Sequence, residues 1–157
     1  MKLVGHPPIN PVLFYTGKFS GYFVWGVWII SALGTDSFVR IANPGLQALS
    51  FVAFGLGVVI VTISLFNLGS ATRLGLPDEN TELKTRGLYQ LSRHPMYVGF
   101  HLFTLAAVIY TMSPVVMLAG AYSVLIYHQI IKAEEAFLEQ RFGDAYREYS
   151  DRVGRYF

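Results

Sequence analysis

The chain has 157 residues, of which 53% are hydrophobic and only 14% charged, with a net charge of +2 and a mean hydropathy of +0.42. A soluble domain carries about 25% charged residues, so the composition excludes disorder, a fibrous repeat and an ordinary water-soluble globule, and points to a lipid solvent. The low net charge leaves no electrostatic footprint for nucleic acid, and the absence of cysteine excludes disulfides, thiolate metal sites and a cysteine nucleophile.

The proline-bearing head, residues 1–11, shows no signal-peptide cleavage pattern and reads as an extended lead-in, with Pro11 opening the first helix. Residues 19–33 carry no charge. The first span is either 12–33, with Lys18 snorkelling to the interface, or 19–39 with a polar end. Within it Gly17-x-x-x-Gly21 matches a weak helix-packing motif. Residues 41–71 are again uncharged, and 46–68 supply the roughly 20 apolar residues that a crossing needs. Residues 96–131 are uncharged too and too long for one crossing. Ser113-Pro114 sits at their middle, and proline breaks a helix interior. This predicts a tight helical hairpin, 96–112 and 115–131. The tail, 132–157, predicts two short amphipathic helices, with Gly143 ending the first and Asp144 capping the second.

The expected fold is therefore an all-α integral-membrane bundle of about four transmembrane helices, including a C-terminal hairpin, plus short cytosolic amphipathic helices. It forms one domain, 1–157, with a two-span part at 1–68 and a polar-site part at 69–157. Counting Lys18 with the head, the head, the 73–93 loop and the tail hold 11 of the 12 Lys and Arg, and Arg40 is the twelfth. The positive-inside rule then puts both termini, the long loop and the tail in the cytosol.

The loop containing Arg73, Gly75, Pro77 and Gly87 ends in Ser92-Arg93-His94-Pro95-Met96-Tyr97-Val98-Gly99, directly at a predicted span. Pro95 keeps His94 out of helical geometry and suits the first turn of the next helix. A helix N-terminus there presents unpaired amides and partial positive charge, and Arg93 and His94 add donors, so an anion such as a carboxylate is the expected guest. Gly99 leaves room for close backbone approach, and Tyr97 offers a ring face and a hydroxyl. The same residues suit an interfacial anchor equally well.

Glu134 and Glu135 follow the last apolar run. They point about 100° apart on a helix, so at most one faces a given pocket squarely. Two carboxylates at the mouth of a membrane cavity suit ribose hydroxyls or a cationic ligand; a plain charged face is the alternative. Tyr146 and Tyr149 share a helix face, either covering a pocket or lying on the bilayer. His101 and His128 are polar residues within apolar spans, a frequent mark of function, although pairing with a neighbouring helix accounts for them as well. No metal-ligand spacing, G-x-S-x-G elbow, P-loop or G-x-G-x-x-G is present.

Taken in order, Leu83-x-Thr85-x-Gly87-x-Tyr89, Arg93-His94-Pro95-x-Tyr97-x-Gly99, the apolar hairpin, Glu134-Glu135, Phe142-Gly143-x-x-Tyr146-x-x-Tyr149 and Arg152-Val153-x-Arg155 resemble the isoprenylcysteine carboxyl methyltransferase family and its wider group of integral-membrane methyltransferases, which includes phospholipid amine methyltransferases. The resemblance covers roughly residues 68–157. It implies S-adenosylmethionine as cofactor, bound on the cytosolic side. It implies that Leu83, Thr85, Gly87, Tyr89, Arg93, His94, Tyr97 and Glu134 form the cofactor site, and that Glu135 and Arg152 stand at the reacting groups. The acceptor it implies is lipophilic, a prenylated cysteine carboxylate or a similar molecule drawn from among the membrane lipids.

One departure stands out. Family members acting on that carboxylate tend to carry an arginine about one turn before the acidic pair, where this chain has Gln129, Ile130 and Ile131. Lys132 is the nearest cation in sequence, and Arg73 or Arg152 could substitute in space. A lipid amine or a small lipophilic thiol is the alternative acceptor. A membrane reductase using NADPH and a non-enzymatic scaffold are the rivals of other classes. The sequence does not fix the oligomeric state.

Overall fold

A computed structural model describes residues 7–35, 38–39, 43–69 and 82–157. Arg40, Arg73, Gly75 and Pro77 lie outside them. The regular structure among the described residues is all helical, five α-helices and one short 3-10 turn: α1 (Pro11–Ala32), α2 (Pro44–Leu68), the turn Gly87–Gln90, α3 (Pro95–Thr111), α4 (Pro114–Phe142) and α5 (Asp144–Arg152).

Each of the first four helices opens on a proline, which forgoes an amide that would be unpaired at that position anyway. Asn10 and Asn43 complete the first two starts: the Val12 amide donates to Asn10 Oδ1, and the Gly45 and Leu46 amides donate to Asn43 Oδ1. Of the two readings of the first span, α1 follows the earlier one, with Lys18 half-buried over the Phe14 ring at 4.1 Å. The chain breaks at Met112–Ser113, where Met112 turns left-handed (φ 47°) and its amide returns to the Val108 carbonyl.

α4 differs from expectation. It does not stop at Ile131 but runs on to Phe142 and ends at Gly143, φ 52°. Residues 131–142 contain neither proline nor glycine, so nothing interrupts the ladder, and the first expected tail helix is the polar continuation of α4. Asp144 begins α5 as its first residue, with Gly143 in the capping position.

α2 and α4 are long and apolar enough to cross a membrane, and α3 is apolar but shorter. The buried residues of α2 are Ser50, Ala53, Gly57 and Ser64, all small and on one stripe, while Leu49, Phe51, Val52, Leu56, Val59, Ile63 and Phe66 are exposed. Small residues inward and bulky apolar residues outward is the pattern of a helix that packs against protein and faces lipid.

That stripe meets α3. A Cβ on Gly57 would lie 2.9 Å from the Gly99 carbonyl, and one on Gly99 equally close to the Gly57 carbonyl. The close approach that Gly99 permits is therefore helix-to-helix. α1 packs on α4 in the same way: Gly17 faces Ile126, and Gly21 faces Ser123 and Tyr127, so the Gly17/Gly21 motif is a packing face. Indole hydrogen bonds tie the rest, from Trp25 Nε1 to Thr104 Oγ1 (3.0 Å) and from Trp28 Nε1 to Ser50 Oγ (2.8 Å). One apolar cluster centres on Val24, Trp28, Ala106, Ala107 and Val116. A second, formed by Phe14, Tyr97, Ile126, Tyr127, Ile130 and Ile131, supports the polar residues at the start of α3.

Candidate functional site

The polar end of α4 meets the junction before α3. Glu135 is 9% exposed and sits at the centre. Arg155 holds it side-on, with Nε 2.9 Å and Nη2 2.6 Å from Oε2. Arg93 Nη2 lies 2.9 Å and His94 Nε2 3.3 Å from Oε1. Burial opposes ionisation of this carboxyl, but His94 and the two guanidiniums prevail and pull it down to about 2. The anion received by the Arg93–Pro95 helix start is thus the chain's own Glu135. The Tyr97 and Val98 amides are spent on the His94 carbonyl.

Glu134 turns to the other side of His94. Tyr97 donates its hydroxyl to Glu134 Oε1 at 2.7 Å, and His94 Nδ1 is 4.0 Å from Oε2. Burial pushes the Glu134 carboxyl above its ordinary value, against the pull of His94, Tyr97 and Lys18. The adjacent acids therefore differ: Glu135 is a spent structural anion, and Glu134 is a buried carboxyl, raised above its ordinary value, whose ionised form gains from any cation placed beside it.

The segment after α5 closes the arrangement. The Arg93 amide donates to the Gly154 carbonyl (2.9 Å), Ser92 Oγ to the Arg155 carbonyl (3.1 Å) and Arg93 Nη1 to the Ser150 carbonyl (3.4 Å). Tyr149 donates its hydroxyl to the Tyr89 carbonyl at 2.6 Å. Tyr146 and Tyr149 are both buried, on the inner face of α5, so they cover the site from within. Arg93 Nε and the Tyr146 hydroxyl are buried without hydrogen-bond partners among the described residues.

Of the expected site residues, the structure brings Arg93, His94, Tyr97, Glu134 and Glu135 together, with Tyr89 buried next to them under Tyr149. Leu83 and Thr85 lie half-buried in an irregular stretch, and Gly87 starts the 3-10 turn with φ 63° beside Asn67. Arg152 is not brought there. It points to solvent and faces Glu148 at 3.7 Å; Arg155 is the guanidinium at Glu135. α5 ends at Arg152 and Val153 is extended, which turns the following residues inward. The spacing alone did not single out Arg155, although it lay in the same Arg152-Val153-x-Arg155 stretch.

The residues present suit the cofactor that the resemblance implies. Arg93 Nε and the Tyr146 hydroxyl are unspent donors for a carboxylate or hydroxyl, and Glu134 is an acceptor for a cationic or hydroxyl-bearing part. Among the described residues no group of three His, Asp or Glu could hold a metal.

A family model described as phospholipid methyltransferase matches residues 46–145. A protein-S-isoprenylcysteine O-methyltransferase B from Arabidopsis thaliana is 36% identical over 77 residues, 48% of this chain and 39% of that protein. A protein-S-isoprenylcysteine O-methyltransferase from Dictyostelium discoideum is 29% identical over 101 residues, 62% of this chain and 43% of that one. A methanethiol S-methyltransferase 1 from Bradyrhizobium diazoefficiens is 35% identical over 97 residues, 60% of this chain and 33% of that one. The match spans less than half the length of these relatives. The chain belongs to the phospholipid methyltransferase family.

Proposed function

We propose that this family member is an S-adenosylmethionine-dependent methyltransferase acting on a lipophilic acceptor at the membrane–cytosol interface. The observation that carries the reading is the meeting of His94 and Tyr97 with Glu134 at the start of α3, with unspent donors on Arg93 and Tyr146 around it. When bound, the cofactor supplies a sulfonium-borne methyl group for in-line displacement.

The chain's own part is alignment and exclusion of water. Glu134 offers its carboxylate to the positive portion of the cofactor, and Tyr97 fixes that carboxylate through its hydroxyl. Glu135 holds Arg93, His94 and Arg155 in one geometry without touching the reactants. Tyr146 and Tyr149 keep the site dry. We read α1 to α4 as four crossings that leave both termini and this polar cap in the cytosol, so a polar cofactor enters from water and the acceptor from lipid.

Carboxyl O-methylation of isoprenylcysteine or a similar molecule is the first acceptor reading, supported by the isoprenylcysteine O-methyltransferases among its plant and Dictyostelium relatives. A carboxylate is already ionised at neutral pH and needs no base. The second reading is S- or N-methylation of a small lipophilic acceptor. One observation favours it: Arg93 and Arg155 are both committed to Glu135, so neither guanidinium is left whole for an acceptor carboxylate. The bacterial relative, a methanethiol S-methyltransferase, agrees.

The test is calorimetric titration of the purified protein with S-adenosylhomocysteine and, separately, NADPH, for the wild type and for His94→Ala and Tyr97→Ala. Binding of the first ligand alone, weakened by each substitution, is expected. Unchanged affinity in both variants sinks the placement, and NADPH binding returns the reductase reading.

A further inference from the structure

His101 lies one turn beyond Tyr97 along α3, on the same face, away from the polar cap. It is half-buried, yet neither ring nitrogen has a hydrogen-bond partner among the described residues. Its neighbours are titratable: the Tyr156 ring centroid is 5.7 Å away and that of Tyr127 is 6.4 Å away. His128 Nδ1 is already engaged with the Tyr156 hydroxyl at 2.8 Å. Tyr127 also packs on Tyr97, at 5.6 Å, so His101 is joined to the cofactor residues by one layer of rings. A buried polar group left unpaired calls for an explanation, and inside an apolar helix pair the explanation to test first is a guest.

We propose that His101 is the proton acceptor of the methyl-acceptor subsite and that the acceptor is a lipophilic thiol, a proposal that rests on the methyltransferase reading above and takes up its second acceptor reading, S-methylation. A neutral imidazole offers one acceptor and one donor nitrogen, and both of His101's are unspent. A cysteine-like thiol titrates at about 8.5 and a simple alkanethiol higher, both above imidazole, so a base at hydrogen-bond distance is needed to raise the thiolate, which is the reactive form. A carboxylate, already ionised at neutral pH, has no proton to give this base.

The step balances as follows. The thiol proton passes to the unprotonated nitrogen of His101. The thiolate electron pair forms a new sulfur–carbon bond to the methyl group of a sulfonium donor. The donor's own carbon–sulfur bond breaks, and its electron pair stays on the donor sulfur, which becomes a neutral thioether. The imidazolium returns its proton to water.

The experiment supplies isotopically labelled S-adenosylmethionine to the purified full chain with three acceptors: an alkanethiol, a thiophenol (largely thiolate at pH 8 without help) and an S-farnesylated cysteine carboxylate. Wild type and His101→Gln are compared, with His101→Phe as a second variant that keeps the ring, and S-adenosylhomocysteine affinity is measured alongside. The wild type is expected to label the alkanethiol. His101→Gln should lose about 100-fold of that activity, retain most of its activity on the thiophenol, and bind S-adenosylhomocysteine as the wild type does. A loss equal on both thiols, no loss in either variant, or labelling confined to the farnesylated carboxylate overturns the proposal while leaving the methyltransferase reading intact. Failure of the wild type to bind S-adenosylhomocysteine overturns both.

Discussion

Arg155 grips Glu135 from twenty residues further along the chain, with two donors on one oxygen. The bond joins the polar end of α4 to the segment after α5. Arg152, three residues earlier, reaches only Glu148 at the surface. Arg155→Ala is expected to lower stability in detergent by about 1–3 kcal/mol, the scale of charge-assisted hydrogen bonds, and to weaken S-adenosylhomocysteine binding by loosening Arg93 and His94. Arg152→Ala should stay within about 0.5 kcal/mol of wild type. Thermal unfolding and calorimetry on the two variants check this, and the reverse ranking would overturn the assignment.

Acid should act on the site through Glu135. Its folded value, about 2, lies below the ordinary 4.5, so its stabilisation is fully present above about pH 4.5 and drains away as pH falls toward 2. The melting-temperature gap between wild type and Glu135→Gln should narrow across that window. A gap independent of pH would show that the charge on Glu135 is not what holds the cluster.

Glu134 should respond in the opposite sense. Its carboxyl is raised, chiefly by burial, so it takes up a proton above the ordinary carboxylate range. Affinity for a cationic sulfonium ligand is expected to fall as the solution is acidified, beginning above that range, and Glu134→Gln should flatten the dependence. Tyr97→Phe removes the 2.7 Å donor and should cost roughly tenfold in affinity, about 1–1.5 kcal/mol. Titrations across pH read both effects.

Helix packing makes a separate prediction. At Gly99 an added methyl meets the Gly57 carbonyl, and backbone yields less easily than a side chain. Gly99→Ala should cost about 1–3 kcal/mol although Gly99 touches no polar site residue, while Gly55→Ala, where nothing lies within 4 Å, should be nearly neutral. Unfolding in detergent distinguishes them.

The proposed topology can be tested without first removing any native thiol, since the chain has no cysteine. Thr35→Cys, between α1 and α2, should react with an impermeant maleimide from outside the cell, and Asp151→Cys in α5 only after the membrane is opened. Labelling of both from the same side would reject four crossings.

The sequence made much of this legible because its punctuation is strong. Pro11, Pro95 and Pro114 mark helix starts, and the spacing of Arg93, His94 and Tyr97 against Glu134 and Glu135 marks the cap. Periodicity could not tell which acid is spent on guanidinium groups, since that depends on how α4 rotates against α3. Nor could it show that α4 continues past Ile131, because the change from apolar to charged residues looked like an end where no helix breaker stands. Arg152 and Arg155 were separable only by the extended Val153, whose direction is set by the contacts of Gly154 with Arg93.

Ser92 and Arg155 are hydrogen-bonded across a sequence separation of 63 residues, with α3 and α4 between them. Synthesis at about 5–20 residues per second puts roughly 3 to 13 seconds between their emergence from the ribosome. Once α4 is made and until α5 and its following segment appear, Glu135 has Arg93 without Arg155, and the Tyr89 carbonyl waits for Tyr149. The segment after α5 therefore decides whether the cap forms, and translation speed over α5 sets how long the nascent chain stays open at that end.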